Sequence, residues 1–249
     1  MIEDAELLRR YADEKSEEAF SVLVRRHLDL VYSVALRQVA GDAHLAEDVT
    51  QLVFTALARK ASSLQGRPAL SGWLYRSTHF AASDVVRGET RRRAREQEIH
   101  AMNPSVFDSA TSADWERFRP VLDSAVAELT ERDRTAVALR YFDGRSFADV
   151  GTQLQLTENA ARMRVDRALE KLRIALGKHG ITSTAAGLGV ALANQASVAA
   201  PAGLVASVTG AALTGASAAA TAGAVGTLLT IMSTGKAMLG LAGIGAAIA

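Results

Sequence analysis

The side chains best suited to chemistry in this chain are arginines and aromatic residues that lie close together in its first hundred positions. They are Arg67, Trp73, Tyr75, Arg76, His79, Phe80, Arg87, Arg91, Arg92 and Arg93. Aromatic faces stack on unpaired bases while nearby cations hold phosphates, so this mixture favours single-stranded nucleic acid over intact duplex. In the alternative reading, Trp73 and Phe80 are core residues and the arginines form a solvated face. For Trp73 alone, a core position is favoured.

A second group follows a break in the apolar pattern at positions 156–157. Thr157 is placed to cap a helix with one apolar face. Its exposed positions carry side chains that can reach base edges or phosphates in a major groove. They are Glu158, Asn159, Arg162, Met163, Asp166, Arg167 and Glu170, with Arg164 near the boundary. An ordinary helical hairpin with a solvated charged face would give the same pattern, and both readings stay open.

A third group is the polar face of another helix, formed by Glu47, Asp48 and Gln51. No histidine accompanies these residues at metal-ligand spacing, so the face is not predicted to bind a metal ion. Neighbouring positions such as 47 and 48 do not share a helix face closely. The face is either a solvated surface or a docking surface for a basic partner helix.

Motifs for catalysis are missing from the sequence. It has no phosphate-binding glycine loop, no nucleophile elbow and no His-Glu-x-x-His, and its five histidines are scattered. The absence of cysteine excludes disulfides and thiolate chemistry, and it is consistent with a reducing cytoplasm. The acidic N-terminus does not resemble a signal peptide. We therefore predict a cytoplasmic protein that is not an enzyme and has no cofactor.

Helical periodicity indicates how the first and third groups are positioned. From Ser16 onward, apolar residues recur every three or four positions. Gly41 interrupts this pattern, and Asp42 can cap the next helix. A loop is predicted over 62–68, and a third helix over 72–95. We assign 1–95 to a first helical domain and the polar stretch 96–114 to a flexible linker.

The second domain is predicted to cover 115–178 and to be entirely helical. Thr130 with Asp133, and Ser146 with Asp149, resemble helix caps. Asp143-Gly144 is a turn signal, and the elements on either side of positions 156–157 have the order of a helix-turn-helix. No strand pattern is present, so the predicted fold class is all-α, with two helical domains joined by a linker.

The remaining residues, 179–249, form an extension rich in Ala and Gly whose only charged side chain beyond His179 is Lys236. The uncharged stretch 211–231 is long enough to span a bilayer, but its small residues give little transfer energy, and 237–249 is too short. A helical tail packed on the other domains has equal weight with membrane association, and disorder has less. We hypothesise that the tail regulates the two domains in cis.

The motifs taken together resemble the extracytoplasmic-function sigma factors of bacterial RNA polymerase. The sequence AEDVTQLVF at 46–54 is similar to the family's polymerase-docking helix, and WLYR at 73–76, followed by Ala82, Asp84 and Arg87, is similar to the helix that reads the minus-ten element. LRYFDGRS at 139–146 and RVDRALEKLR at 164–173 resemble the domain that reads the minus-thirty-five element. Leu52, His79 and Phe80 depart from the usual pattern, in which Glu, a basic residue and Asn are frequent.

This resemblance implies a dissociable polymerase subunit with region 2 over 1–95 and region 4 over 115–178. It implies three sets of site residues. Core polymerase would bind Glu47, Asp48 and Gln51; the melted minus-ten strand would contact Arg67, Trp73, Arg76, His79, Phe80, Arg87 and Arg91; and the duplex at minus thirty-five would contact Thr157, Glu158, Asn159, Arg162, Met163, Arg164 and Arg167. An anti-sigma factor and a membrane surface touching the tail are further candidate partners.

Two rival functions remain open at this point. A stand-alone helix-turn-helix regulator would bind duplex DNA without polymerase, but it would not need the docking helix or the Trp73 block. A sigma-like protein that sequesters a partner would bind polymerase or an anti-sigma factor without starting transcription.

Overall fold

The computed structural model describes residues 2–67, 69–99, 113–181, 183–193 and 198–218, apart from the side chains of 93–99, 113–120 and 216–218. All regular elements in these ranges are helices, which agrees with the predicted all-α class. The first domain contains α1 (Asp4–Glu14), α2 (Glu17–Gln38), α3 (Ala43–Leu64) and α4 (Ser71–Ile99). They pack against one another around a core that includes Phe20, Phe54 and Leu74.

The start of each central helix in this domain is determined locally. Ser16 caps α2 by accepting a hydrogen bond from the Ala19 N–H at 3.2 Å, and Asp42 caps α3 by accepting one from the Leu45 N–H at 3.0 Å. Gly41, at φ +84°, forms the turn between the two helices. The Asp42 cap and the break at Gly41 are as predicted.

The structure differs from the sequence prediction at several elements, including α5 (Ala113–Glu128), which begins inside the predicted linker. α1 was not predicted, because among its polar residues only Leu7 and Leu8 are buried. The predicted loop over 62–68 begins too early, since α3 continues through Leu64, a core residue. α4 extends to Ile99, beyond the predicted end near position 95 and into the stretch assigned to the linker. Most of that stretch, 100–112, lies outside the described residues.

The second domain begins with α5 (Ala113–Glu128) and α6 (Glu131–Val137), and α6 continues directly into a π-helical turn, Ala138–Phe142. α7 (Phe147–Leu154) and α8 (Glu158–Gly177) follow as the predicted helix-turn-helix. The three predicted caps are present at Thr130, Ser146 and Thr157, and Ser146 forms a reciprocal capping box with Asp149. Gly144, at φ +65°, occupies the predicted turn.

A buried ion pair attaches α1 to α2. Asp4 Oδ2 lies 2.8 Å from His27 Nε2, and Asp4 Oδ1 accepts a hydrogen bond from Arg26 at 2.5 Å. Burial disfavours both charges, but the attraction and hydrogen bonding between Asp4 and His27 outweigh it. The pKa of Asp4 is lowered to about 2, and the pKa of His27 is raised above its ordinary value. This pair accounts for a histidine within the apolar face of α2.

We expect this pair to make stability fall as the pH rises above about 6.5, the ordinary pKa of histidine. Folded His27 holds its proton more tightly than unfolded His27, so its contribution is complete below the unfolded pKa and is lost as the pH rises through the raised folded pKa. The Asp4 contribution is lost only in acid, as the pH falls through about 2. The free energy of unfolding, measured with denaturant at several pH values above about 6.5, should decrease as the pH rises. Asp4→Asn should flatten this slope, and the exposed control Glu3→Gln should leave it unchanged. An equal slope in Asp4→Asn would contradict the assignment.

Two helices of the tail lie on the two domains. α9 (Ala185–Ala193) packs against α8 and the π-helical turn, and α10 (Leu204–Ala218) packs against α2 and α3. For the described part of the extension, helical packing on the other domains is thus observed. Within those residues no helix combines the length and apolarity that crossing a membrane requires. Much of the uncharged stretch 211–231, and all of 237–249, fall outside the described ranges.

Candidate polymerase and nucleic-acid interface

The polar face of α3 points to solvent. Asp48 and Gln51 are exposed one turn apart, and Leu52 beside them is 41% exposed. Glu47 is half-buried at the edge of this face, so it is less accessible than Asp48 and Gln51. We call Asp48, Gln51 and Leu52 the docking face. At about 100° per residue, Thr55 and Arg59 continue it toward the C-terminus of α3.

The predicted minus-ten residues divide into a cluster on the first half of α4 and exposed arginines on its second half. The Arg76 guanidinium lies 5.3 Å from the centroid of the Phe80 ring, and the His79 ring meets that ring edge-on at 5.7 Å. Burial lowers the pKa of His79 although Asp123 and Glu128 oppose the shift, so its ring is neutral at pH 7. The cluster can therefore stack on a base and place one cation next to it.

The other members of that group have different surroundings. Trp73 is half-buried and packs against the core, in line with the core position favoured for this residue from the sequence. Arg87 and Arg91 are exposed, and Arg87 pairs with Asp84. Arg67 pairs with Glu131 of the second domain. The side chain of Arg93 lies outside the description. The structure thus brings Arg76, His79 and Phe80 together but does not add Arg67 to them.

α8 presents the predicted polar residues on its solvent side. Thr157, Glu158, Asn159, Arg162, Met163 and Arg167 are exposed, whereas Arg164 is half-buried. Thr157 Oγ1 accepts a hydrogen bond from the Ala160 N–H at 3.2 Å and so fixes the start of the helix. Arg162 lies 4.6 Å from the Phe147 ring centroid, and Arg164 lies 3.4 Å from Asp133 Oδ1.

A cleft of about 1740 Å³ separates the two domains. Its walls include Met163, Arg164, Arg167 and Lys171 from α8, and Arg26 and Arg67 from the first domain. Acidic side chains, among them Asp4, Glu131 and Asp133, line the same space, and Arg26, Arg67, Arg164 and Lys171 are each paired with one of them. In the described ranges, no group of three or more His, Cys, Asp and Glu side chains is placed to hold a metal ion.

Family comparisons match both domains. Residues 23–92 match the model described as sigma-70 region 2, and residues 125–173 match the model described as sigma-70, region 4. The chain is 30% identical over 175 residues to the RNA polymerase sigma factor CarQ of Myxococcus xanthus, an alignment that covers 69% of this chain and 96% of CarQ. The chain belongs to the sigma factors of the extracytoplasmic-function group. It is a factor for promoter-specific transcription initiation, and this family is not enzymatic in general.

Two further relatives agree with this assignment. The RNA polymerase sigma-H factor of Pseudomonas aeruginosa is 29% identical over 186 residues, which cover 70% of this sigma factor and 94% of the relative. The ECF RNA polymerase sigma factor SigE of Mycolicibacterium smegmatis is 32% identical over 176 residues, 67% of this chain. The aligned part spans 65% of the length of SigE. The matched models end at position 173, so the tail helices α9 and α10 lie beyond both.

Regions 2 and 4 of this sigma factor contact each other through the start of α4. Tyr75 is fully buried; its hydroxyl donates a hydrogen bond to Asp123 of α5, and its ring stacks on Phe142 at 5.1 Å between centroids. Burial and the charge of Asp123 raise the pKa of the Tyr75 hydroxyl well above its ordinary value. The expectation that Tyr75 is available to stack on bases is therefore wrong for this arrangement, because region 4 covers its ring.

Arg134 joins the same interface from α6. It is only 2% exposed, and it donates hydrogen bonds to the carbonyl oxygens of Gly72 at 2.8 Å, Ala127 at 3.0 Å and Leu129 at 2.7 Å. Burial, followed by the charges of Arg76 and Arg67, lowers the pKa of Arg134 to about 10, so it stays protonated at neutral pH. One charged fork thereby connects region 2 to two carbonyl oxygens at the C-terminal end of α5 in region 4.

Gly72, Asp123 and Arg134 are interface residues that the sequence did not predict. The side chain of Asp123 is only 1% exposed, and its Oδ1 atom lies 4.0 Å from Nη2 of Arg37 in α2. The one available signal was the position of Arg134 among residues of a buried helix face, next to Ala136 and Val137. A charged residue at a buried helix position needs hydrogen-bond partners, so this position could have indicated that Arg134 lies at an interface.

Proposed function

We propose that this sigma factor binds core RNA polymerase through the docking face of α3 and then directs initiation at promoters read by regions 2 and 4. The observation that carries the proposal is the exposure of Asp48 and Gln51, with Glu47 at the edge, inside the region 2 match. Acidic and amide side chains on an accessible helix can pair with basic groups of a partner helix. Docking of this kind makes the chain a polymerase subunit rather than an enzyme.

Region 2 would bind the melted minus-ten strand along α4. Arg76 and Phe80 supply a cation beside an aromatic ring, and His79 supplies a second neutral ring. Arg87 and Arg91 are exposed farther along the helix, where they can reach phosphates. Flipping a base costs a few kcal/mol, which stacking on this cluster can offset. Because Phe80 has no amide, we expect stacking to contribute more than hydrogen-bonded base readout.

Region 4 would place α8 in the major groove at minus thirty-five. The capped start of the helix exposes Asn159, Arg162 and Met163, which can meet base edges. Arg164 and Arg167 also face the cleft between the domains, so full access to DNA requires regions 2 and 4 to separate. Binding energy from polymerase and from two linked DNA contacts would drive that separation.

The proposed function also has a cellular location and further candidate partners. We propose that the protein acts in the cytoplasm with polymerase, consistent with its lack of cysteine. An anti-sigma factor and a membrane contact through the tail stay untested predictions. The described tail helices pack on regions 2 and 4, which gives membrane contact through them no support. A sequestering sigma-like protein remains the second candidate, because Leu52, His79 and Phe80 depart from the usual family pattern.

Promoter-dependent transcription in vitro with bacterial core polymerase tests the proposal. The double variant Asp48→Ala/Gln51→Ala should reduce both core binding and transcript yield by about tenfold or more, because it removes two polar contacts of roughly 1 kcal/mol each. The control Glu18→Ala removes an exposed acid from α2 and should leave both unchanged. Binding without any transcript would favour the sequestering protein. No core binding by the unaltered chain would refute the proposal.

A further inference from the structure

We infer that the C-terminal tail is a built-in inhibitor that competes with core RNA polymerase for the face of α3. The inference rests on the proposed function, because it takes that face to be the polymerase-binding surface. Its starting observation is that α10 packs along α2 and α3. Leu204, Val208 and Ala212, spaced four residues apart, form the buried face of α10.

The end of α10 lies directly beside the docking face. Arg59 donates two hydrogen bonds to the Gly215 carbonyl oxygen, at 2.6 Å from Nη2 and 3.3 Å from Nε. A Cβ atom at Gly215 would lie 3.2 Å from Thr55 Cγ2, closer than an ordinary van der Waals contact, so α10 packs tightly against the Thr55 side chain. Thr55 follows Gln51 by one turn, and its hydroxyl donates to the Gln51 carbonyl oxygen at 2.8 Å.

This placement excludes a second helix from the same surface. Four residues of α-helix advance about 6 Å, whereas a helix with its side chains is about 10–12 Å across. A polymerase helix centred on Asp48 and Gln51 would therefore overlap α10 at Thr55. The polar side chains of the docking face stay exposed, but the space around them is partly filled by the tail.

Contacts before α10 hold the tail in this position. Ser33 of α2 donates a hydrogen bond to the Val198 carbonyl oxygen at 3.1 Å and accepts one from the Val198 N–H at 2.6 Å. Asp29 of α2 accepts a hydrogen bond from the Ala200 N–H at 2.9 Å. These side chains recognise backbone groups, so the small-residue composition of the tail does not weaken the attachment.

The tail also touches region 4, which makes it a strap across both domains. α9 lies so close to the π-helical turn and α8 that a Cβ atom at Gly189 would be 2.9 Å from Tyr141 Oη and 3.6 Å from Leu169 Cδ1. The chain then passes to α2 and continues into α10. Polymerase must consequently displace α10 from region 2 in order to dock. The apparent affinity of polymerase for the chain is therefore reduced to the fraction of chains in which α10 is released.

A single engineered disulfide tests the inference in the full chain. The protein has no cysteine, so Thr55→Cys/Gly215→Cys creates only one pair, at a spacing that suits a disulfide. Binding to bacterial core RNA polymerase should be at least about tenfold weaker in the oxidised protein than in the same protein after reduction. Equal binding in the two states would overturn the inference while the proposed function stands. No binding in either state, together with no binding by the unaltered chain or by the Val208→Asp variant described next, in which α10 is released, would overturn both.

A charge placed under α10 provides an independent check. Val208 is 1% exposed, so Val208→Asp should release α10 and strengthen core binding by several-fold to about tenfold. The control Ala206→Asp introduces the same charge on the exposed side of α10 and should not change core binding. Circular dichroism checks that both variants keep the helix content of regions 2 and 4. Unchanged binding by a folded Val208→Asp variant would contradict the role given to the tail.

Discussion

The substitution Gly72→Ala is expected to separate regions 2 and 4. A Cβ atom at this position would lie 2.1 Å from Thr135 Oγ1 and 2.9 Å from both the Cα and the N of Thr135. A hydroxyl can rotate away, but the backbone of α6 cannot move without shifting region 4. The Gly72 carbonyl oxygen also accepts a hydrogen bond from Arg134, so the same movement breaks that bond. We expect the contact between the domains to weaken by about 3 kcal/mol.

Small-angle X-ray scattering measures this separation directly. The Gly72→Ala variant should have a larger radius of gyration than the unaltered chain, while its helix content stays the same. Gly88→Ala is the matched control, since it lies on the same helix α4 with no atom within 4 Å of the added Cβ. That change should keep the radius and stabilise the helix by up to about 1 kcal/mol. A Gly72→Ala chain as compact as the unaltered protein would refute the steric argument.

Local patterns predicted the helices and the candidate surfaces of this sigma factor. Caps such as Asp42 and Thr157 act within three residues, and the buried face of α8 follows from four-residue spacing, so both can be identified from sequence alone. The exposure of Asp48, Gln51 and Arg162 followed from the same periodicity. α1 could not be found in this way, because its position depends on the pairing of Asp4 with His27, 23 residues away.

Contacts between distant parts of the chain lay outside the reach of these patterns. Tyr75 and Asp123 are 48 residues apart, and Arg59 and Gly215 are 156 residues apart. Each pair is formed by the packing of whole helices, and no motif marks it. For Tyr75 the local cluster of arginines and aromatic residues suggested base stacking, whereas the fold buries the ring under region 4. The composition of the tail did not decide between packing on the two domains, membrane association and disorder, because small uncharged residues are compatible with each of them.

Replacing Arg134 with alanine is the second change expected to have a large effect. The guanidinium supplies the donors for the buried carbonyl oxygens of Gly72 and Ala127 and for the part-buried one of Leu129. A buried acceptor without a donor costs about 1–3 kcal/mol, and water will reach some of the vacated space. We therefore expect Arg134→Ala to lower the free energy of unfolding by about 3 kcal/mol, measured by denaturant unfolding at neutral pH.

Two comparisons separate this role from the loss of a charge. Arg132→Ala removes an exposed arginine from the same helix and should change stability by no more than about 0.5 kcal/mol. Arg134→Lys keeps the charge but not the planar fork, so a lysine cannot serve the three carbonyl oxygens together and should recover less than half of the loss. If Arg134→Lys were as stable as the unaltered chain, the charge alone would explain the effect. Because one of the three bonds reaches Gly72, Arg134→Ala should also enlarge the radius of gyration, whereas Arg132→Ala should not.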